Sequence, residues 1–169
     1  MGKLKPAIGS AIFFLVAPGT VVGLVPWWLT DGFITMDTWG QVPGAVLFLG
    51  GLLILVNSFV RFVMNEGTPA PIAPTRHLVV QGFYRYVRNP MYVALAAIIL
   101  GEALWTAQRS LFIYAAIAWA VTATFVKVYE EPTLKEQFGE EYETYKRHVP
   151  AWIPRLTPWR PEDTRGVRG

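Results

Sequence analysis

Residues 38–60 read TWGQVPGAVLFLGGLLILVNSFV, a run without one charged side chain. As a single helix it is long enough to cross a hydrocarbon core of about 30 Å. A second uncharged run, Pro6 to Thr30, precedes it. The whole chain is 53% hydrophobic and only 16% charged, with seven tryptophans, which is not the balance of an ordinary soluble domain. These features predict an all-α integral membrane protein.

Working outward, apolar segments at 7–29, 42–64, 91–107 and 111–128 predict about four transmembrane helices in one domain over 1–160. The last two are short for spans and are expected to form a tight hairpin around Arg109. The connector from Thr30 to Gln41 carries Asp31 and Asp37 and no basic residue, whereas the one from Arg61 to Arg88 carries four arginines. The positive-inside rule then makes the chain multi-pass with both termini cytoplasmic. Gly50-Gly51 in the second span would let a neighbouring helix approach closely. The loop 65–90 begins with NEGTPAPIAP, too rich in proline and glycine for a helix.

After Pro132, Leu134, Phe138, Tyr142, Tyr145 and Val149 recur at helical spacing among charged residues, predicting a cytoplasmic amphipathic helix over 133–148. Trp152 and Trp159 in the tail fit a membrane interface, and 161–169 is expected to be flexible.

Composition also excludes function classes. With no cysteine there is no thiol nucleophile and no cysteine metal site, and two histidines do not predict a metal centre. The net charge of +3 is explained by residues flanking the spans, so no nucleic-acid partner is expected.

Chemistry concentrates in two polar boxes. Arg76 to Tyr92 reads RHLVVQGFYRYVRNPMY, and Glu130-Glu131-Pro132 follows the last apolar segment. The topology puts both on the cytoplasmic face, where they read as one site. Taken alone, the arginines would be orientation signals, the tyrosines an interfacial belt, and the glutamates a helix-start pair stabilising by about 0.3–1 kcal/mol. Their joint occurrence favours a site. Glu102 is either a functional intramembrane carboxylate or an interface residue beside Arg109.

The pattern Gly82-x-Tyr84-x-x-x-Arg88-Asn89-Pro90-x-Tyr92, then Glu130-Glu131 and Phe138-Gly139-Glu140-Glu141-Tyr142-x-x-Tyr145-Lys146, resembles the membrane methyltransferases that include isoprenylcysteine carboxyl methyltransferase and phosphatidylethanolamine N-methyltransferase. The resemblance covers roughly the second half of the chain. It implies S-adenosylmethionine as cofactor, no metal, and cofactor contacts at Arg76, His77, Leu78, Val79, Tyr84, Asn89, Pro90, Met91, Tyr92 and Glu130. Glu130 would hold the ammonium, with Arg88 or Arg76 and the Tyr92 hydroxyl near the carboxylate, and Tyr84 or Tyr86 facing the cation. Catalytic roles fall on Arg88 and on Glu131, the latter as general base for an amine acceptor.

The implied partners are the bilayer and a membrane lipid or prenylated acceptor. Arg88-Asn89-Pro90 replaces the commoner Arg-His-Pro, and Val126 stands where isoprenylcysteine enzymes place an arginine, which moves the resemblance toward the phospholipid enzyme. Methylation of a small thiol and a non-enzymatic membrane scaffold are the alternatives.

Overall fold

The computed structural model of the chain describes residues 16–33, 39–64 and 78–160. The expected start of the first span, the first half of the loop 65–90 and the tail 161–169 lie outside the described residues. Among the described residues all regular structure is helical: α1 (Val16–Leu29), α2 (Gln41–Met64), α3 (Pro90–Thr106), α4 (Arg109–Phe125), α5 (Glu131–Phe138) and α6 (Glu140–His148). A short 3-10 turn, Gly82–Arg85, precedes α3.

Two helices are long and apolar enough to cross a membrane, residues 41–61 of α2 and the continuous helix Arg109–Phe138. Only 22% and 17% of their most apolar windows are buried in the protein. A soluble core helix would show the reverse. On α2 the exposed side chains Val42, Val46, Leu49, Leu53, Val56 and Val60 form one stripe at alternating spacings of four and three, and α4 exposes Ile113, Ile117, Trp119 and Val121. Contiguous apolar surface of this kind is costly in water, so it is built to face lipid. The helices Val16–Leu29 and Pro90–Thr106 are apolar but shorter.

What holds α2 against α3 is the absence of side chains. The two run antiparallel, and a Cβ on Gly44 would stand 2.7 Å from the Gly101 carbonyl oxygen and 2.8 Å from the Trp105 nitrogen. On Gly51 it would meet Ile98 Cγ1 at 2.8 Å and the Ala94 carbonyl oxygen at 2.9 Å. Small residues thus bring the backbones into contact, and lipid-exposed helices associate through such close packing rather than through expulsion of water. Of the expected Gly50-Gly51 pair, Gly51 makes the contact and Gly50 faces open space. Leu55, Ala94 and Ile98 form the buried seam, with Met91, Leu95, Phe48 and Val22 of α1 against it.

The hairpin between α3 and α4 is tighter than expected. Ala107 takes a left-handed conformation (φ 54°) at the end of α3, and Gln108 leads directly into α4. At the other end, α4 does not stop before Pro132. A π-helical turn, Val126–Glu130, carries it into α5. Proline has no N–H to complete an α-helical ladder, and the widened turn before it absorbs that loss.

The single amphipathic helix expected over 133–148 is corrected to two. Gly139, at φ 54° and ψ −123°, separates α5 from α6, a conformation that glycine adopts without steric cost. Tyr142, Tyr145 and Val149 are buried with Trp159, with Leu78, Val80, Leu134 and Phe138 packed around them. The apolar face therefore covers the loop before α3.

Gly101→Ala, whose Cβ would sit 2.7 Å from the Phe48 nitrogen, is expected to destabilise the protein by about 1–3 kcal/mol or more through overpacking. Gly50→Ala should be neutral or stabilising by up to about 1 kcal/mol. Unfolding in mixed micelles, comparing both variants with wild type, checks the difference.

Candidate cofactor site

The turn Gly82–Arg85 and the start of α3 meet the end of α4 at one end of the helices. The turn is fixed from three sides. Gly82 has φ 56°, and its α-carbon lies against Asn57 and Arg61 of α2, either of which a Cβ would meet at 3.0 Å. The Tyr145 hydroxyl donates to the Tyr84 carbonyl oxygen at 2.6 Å. The tail runs alongside: Arg88 N–H donates to the Pro150 carbonyl, Arg155 N–H to Tyr86 and Trp159 N–H to Arg85, each at 2.9 Å. Arg85 Nε returns a bond to the Trp159 carbonyl at 2.8 Å, and Asn89 Nδ2 donates to Ala151 at 3.2 Å.

At the centre is an ion network. Arg88 Nη1 donates to Glu131 Oε1 at 2.9 Å and to the Tyr142 hydroxyl at 3.1 Å, while Lys146 Nζ donates to Glu131 Oε2 at 2.7 Å. The Arg88 and Glu131 side chains are only 10% and 19% exposed, so this pair is shielded from water. Arg88 Nε is buried with no partner among the described residues.

Glu130, one residue earlier, is turned elsewhere. The Tyr92 phenol is hydrogen-bonded to it, yet its Oε2 is buried with no partner among the described residues. Burial raises the Tyr84 phenol above its ordinary range, with Tyr145, Glu130 and Tyr92 nearby adding to the shift. The Tyr142 phenol is pushed up to about 12, chiefly by burial, with Arg88 opposing and Glu131 adding. Both therefore keep their protons at neutral pH and remain donors.

The structure thus brings together Tyr84, Tyr92 and Glu130, and beside them Arg88 and Glu131. Val79 is buried, and Leu78 packs on the Tyr142–Tyr145 cluster. Asn89 is turned to the tail, Pro90 opens α3, and Met91 packs into the α2–α3 seam. Arg76 and His77 lie outside the described residues. Glu102 is buried at 7% exposure, ten residues along α3 from Tyr92 and outside this cluster. Trp159, expected at the interface, is buried instead and stacked on His148 at 5.4 Å.

Tyr142 and Lys146 enter the network although the sequence reading, which placed them in the helix and in the family pattern, gave neither a role in the site. Their i, i+4 spacing puts both on one face. A separate open cavity of about 590 Å³ lies between α2 and the Gly82–Arg85 turn, lined by Asn57, Arg61, Gln81, Arg85, Tyr86 and Pro158 among others, and Glu130 and Tyr92 take no part in it.

The family profile described as Phospholipid methyltransferase matches residues 39–141. The chain belongs to that family. It is 28% identical to a methanethiol S-methyltransferase of Crocosphaera subtropica, over 72% of this chain and 51% of that protein. It is 26% identical to protein-S-isoprenylcysteine O-methyltransferase B of Arabidopsis thaliana, over 76% of this chain and 60% of that protein. A phosphatidylethanolamine N-methyltransferase 1 of Vanderwaltozyma polyspora is 39% identical over 38% of this chain and 8% of its own. The chain thus spans about half the length of the first two. The family match covers the turn, α3 and the Glu130-Glu131 pair, and stops short of Tyr142.

Tyr145→Phe removes the donor to the Tyr84 carbonyl and is expected to cost about 0.5–1.5 kcal/mol. Arg88→Met, which leaves Glu131 with Lys146 alone, is expected to cost roughly 1.5–3 kcal/mol. Thermal unfolding of both in one detergent checks the order.

Proposed function

We propose that the protein is an integral membrane methyltransferase, multi-pass with four spans and cytoplasmic termini, that moves a methyl group from S-adenosylmethionine to a membrane lipid or isoprenylated acceptor. The observation that carries this is a pair of buried, unsatisfied groups in one site: Glu130 Oε2, an acceptor, and Arg88 Nε, a donor. Leaving either unmet costs about 1–3 kcal/mol or more, and the amino-acid end of the cofactor offers an ammonium and a carboxylate of the matching kinds. The residues fit the group.

When bound, the cofactor supplies an activated methyl group on a sulfonium. Glu130 would take its ammonium and Arg88 its carboxylate, with Tyr92 holding the second Glu130 oxygen and Tyr84 walling the site with an electron-rich ring. Leu78 and Val79, with Arg76 and His77, would supply the apolar and donor contacts that the family resemblance implies. Asn89, Pro90 and Met91 would shape the site from behind, by fixing the tail, starting α3 and packing the seam. Such an enzyme works mainly by alignment and exclusion of water.

The geometry favours positioning over proton transfer for Glu131. Both its oxygens are engaged by cations, so a proton taken from an acceptor would have to displace an ion pair. Its role is to aim Arg88. A second reading, a small thiol as acceptor, is supported by the Crocosphaera relative, and comparing turnover on lipid and thiol acceptors separates the two.

Glu130→Gln is expected to weaken binding of S-adenosylhomocysteine by about 10–100-fold, the worth of a charge-assisted hydrogen bond of roughly 1.5–3 kcal/mol. Tyr92→Phe should weaken it less. Titration calorimetry on folded protein decides: unchanged affinity in Glu130→Gln would remove the proposal. For Glu131→Gln the expected result is weaker cofactor binding with the shape of the pH–rate profile kept; disappearance of its acidic limb would restore the general-base role.

A further inference from the structure

The tail after α6 carries a feature that the cofactor site does not use. From Pro150 to Trp159 it is fastened to residues 85–89 by the backbone bonds described above, yet it turns two of its apolar side chains outward. Ile153 is 79% exposed and Leu156 99% exposed. Trp152 meets Trp119 of α4 edge-on, with ring centroids 6.0 Å apart and planes at 65°.

That contact fixes depth. Trp119 lies eleven residues before Glu130, about 15 Å along the helix from its polar end. The tail therefore reaches down the flank of α4 that carries Trp119, itself 50% exposed. The strap's apolar surface continues that of the helix.

The chemistry of the strap suits the same surroundings. Pro150, Pro154 and Pro158 bring no N–H donors, and Arg155 spends its backbone N–H on Tyr86 and its Nη1 on the His148 carbonyl at 2.9 Å. Irregular backbone is tolerated at membrane depth only where its polar groups are met inside the protein. Here three donors are absent by composition, and the one charged side chain between Trp152 and Leu156 is hydrogen-bonded.

We infer that residues 152–156 are a lipid-immersed wedge, with Ile153 and Leu156 among the acyl chains, which ties the loop bearing Tyr84 and Arg88 to the bilayer. The occupant of the surface is bilayer lipid. The inference rests on the reading that α4 crosses a membrane.

Because the chain has no cysteine, single cysteines can be spin-labelled without background. Ile153→Cys and Leu156→Cys are compared with Val121→Cys on the lipid-facing flank of α4 and Glu136→Cys on the exposed side of α5, each in vesicles of phosphatidylcholine and phosphatidylglycerol. Accessibility is read by power saturation with oxygen and with a water-soluble nickel chelate. The expected result is an oxygen-to-chelate ratio at 153 and 156 several-fold above that at 136 and similar to that at 121. Ratios at 153 and 156 equal to 136, with 121 still lipid-like, would overturn the wedge and leave the membrane reading standing. A water-like ratio at 121 as well would overturn both.

Discussion

The polar end of this protein depends on the ion pair between Arg88 and Glu131. It joins segments forty-three positions apart, one entering α3 and one leaving α4, and it does so where water scarcely reaches. Adjacent residues on a helix point roughly 100° apart. Once Glu131 is committed to Arg88, Glu130 must face a different wall, and the wall it meets is Tyr92 and Tyr84. A carboxylate with one buried oxygen left unmet is an expensive arrangement. It persists because its neighbour is satisfied twice over, by Arg88 and by Lys146. One glutamate is held by two cations, and the other keeps a buried oxygen without a partner among the described residues.

Hydrocarbon surroundings explain why the site sits where it does. Along α2 and α4 the outward positions are valine, leucine, isoleucine and tryptophan, so polar chemistry has nowhere to go but the helix ends. Within the bundle, helix association cannot rely on expelling water, and glycines at 44, 51 and 101 substitute backbone contact for hydrophobic drive. That contact sets the distance between α2 and α3. The same helices then frame the turn at Gly82, where the positive φ strains any other residue and a Cβ would crowd Asn57 and Arg61. The placement of Tyr84 is thus a consequence of helix packing as much as of local sequence.

Much of this could be read from the chain because the signals are local. Uncharged runs gave α2 within a residue or two, Pro90 marked the start of α3, and the concentration of arginine, tyrosine and glutamate in two boxes picked out segments that the structure brings together. What escaped reading depends on contacts between distant segments or on backbone choices with no unique signature. Gly139 lies inside a good helical pattern, and only its φ shows that the helix breaks. Pro132 looked like a helix start because its cost is usually paid by ending a helix, whereas here a π turn accommodates it. Trp159 resembled an interfacial anchor by composition and is buried because its N–H and carbonyl pair with Arg85, which no spacing rule foretells.

The last of these points to how the site is closed. A loop with three arginines and no strand partner would ordinarily leave its backbone groups to water. Here the tail supplies them: three backbone donors and acceptors between 85 and 89 are met by residues 150–159, and Tyr145 and Trp159 cover the turn from the side. Such pairing requires α6 to end near the loop, which requires the break at Gly139, because an unbroken helix from Arg109 to His148 would carry the tail away from the membrane end of α4. One glycine at positive φ therefore determines whether Lys146 can reach Glu131, and through that pair whether Glu130 keeps its orientation.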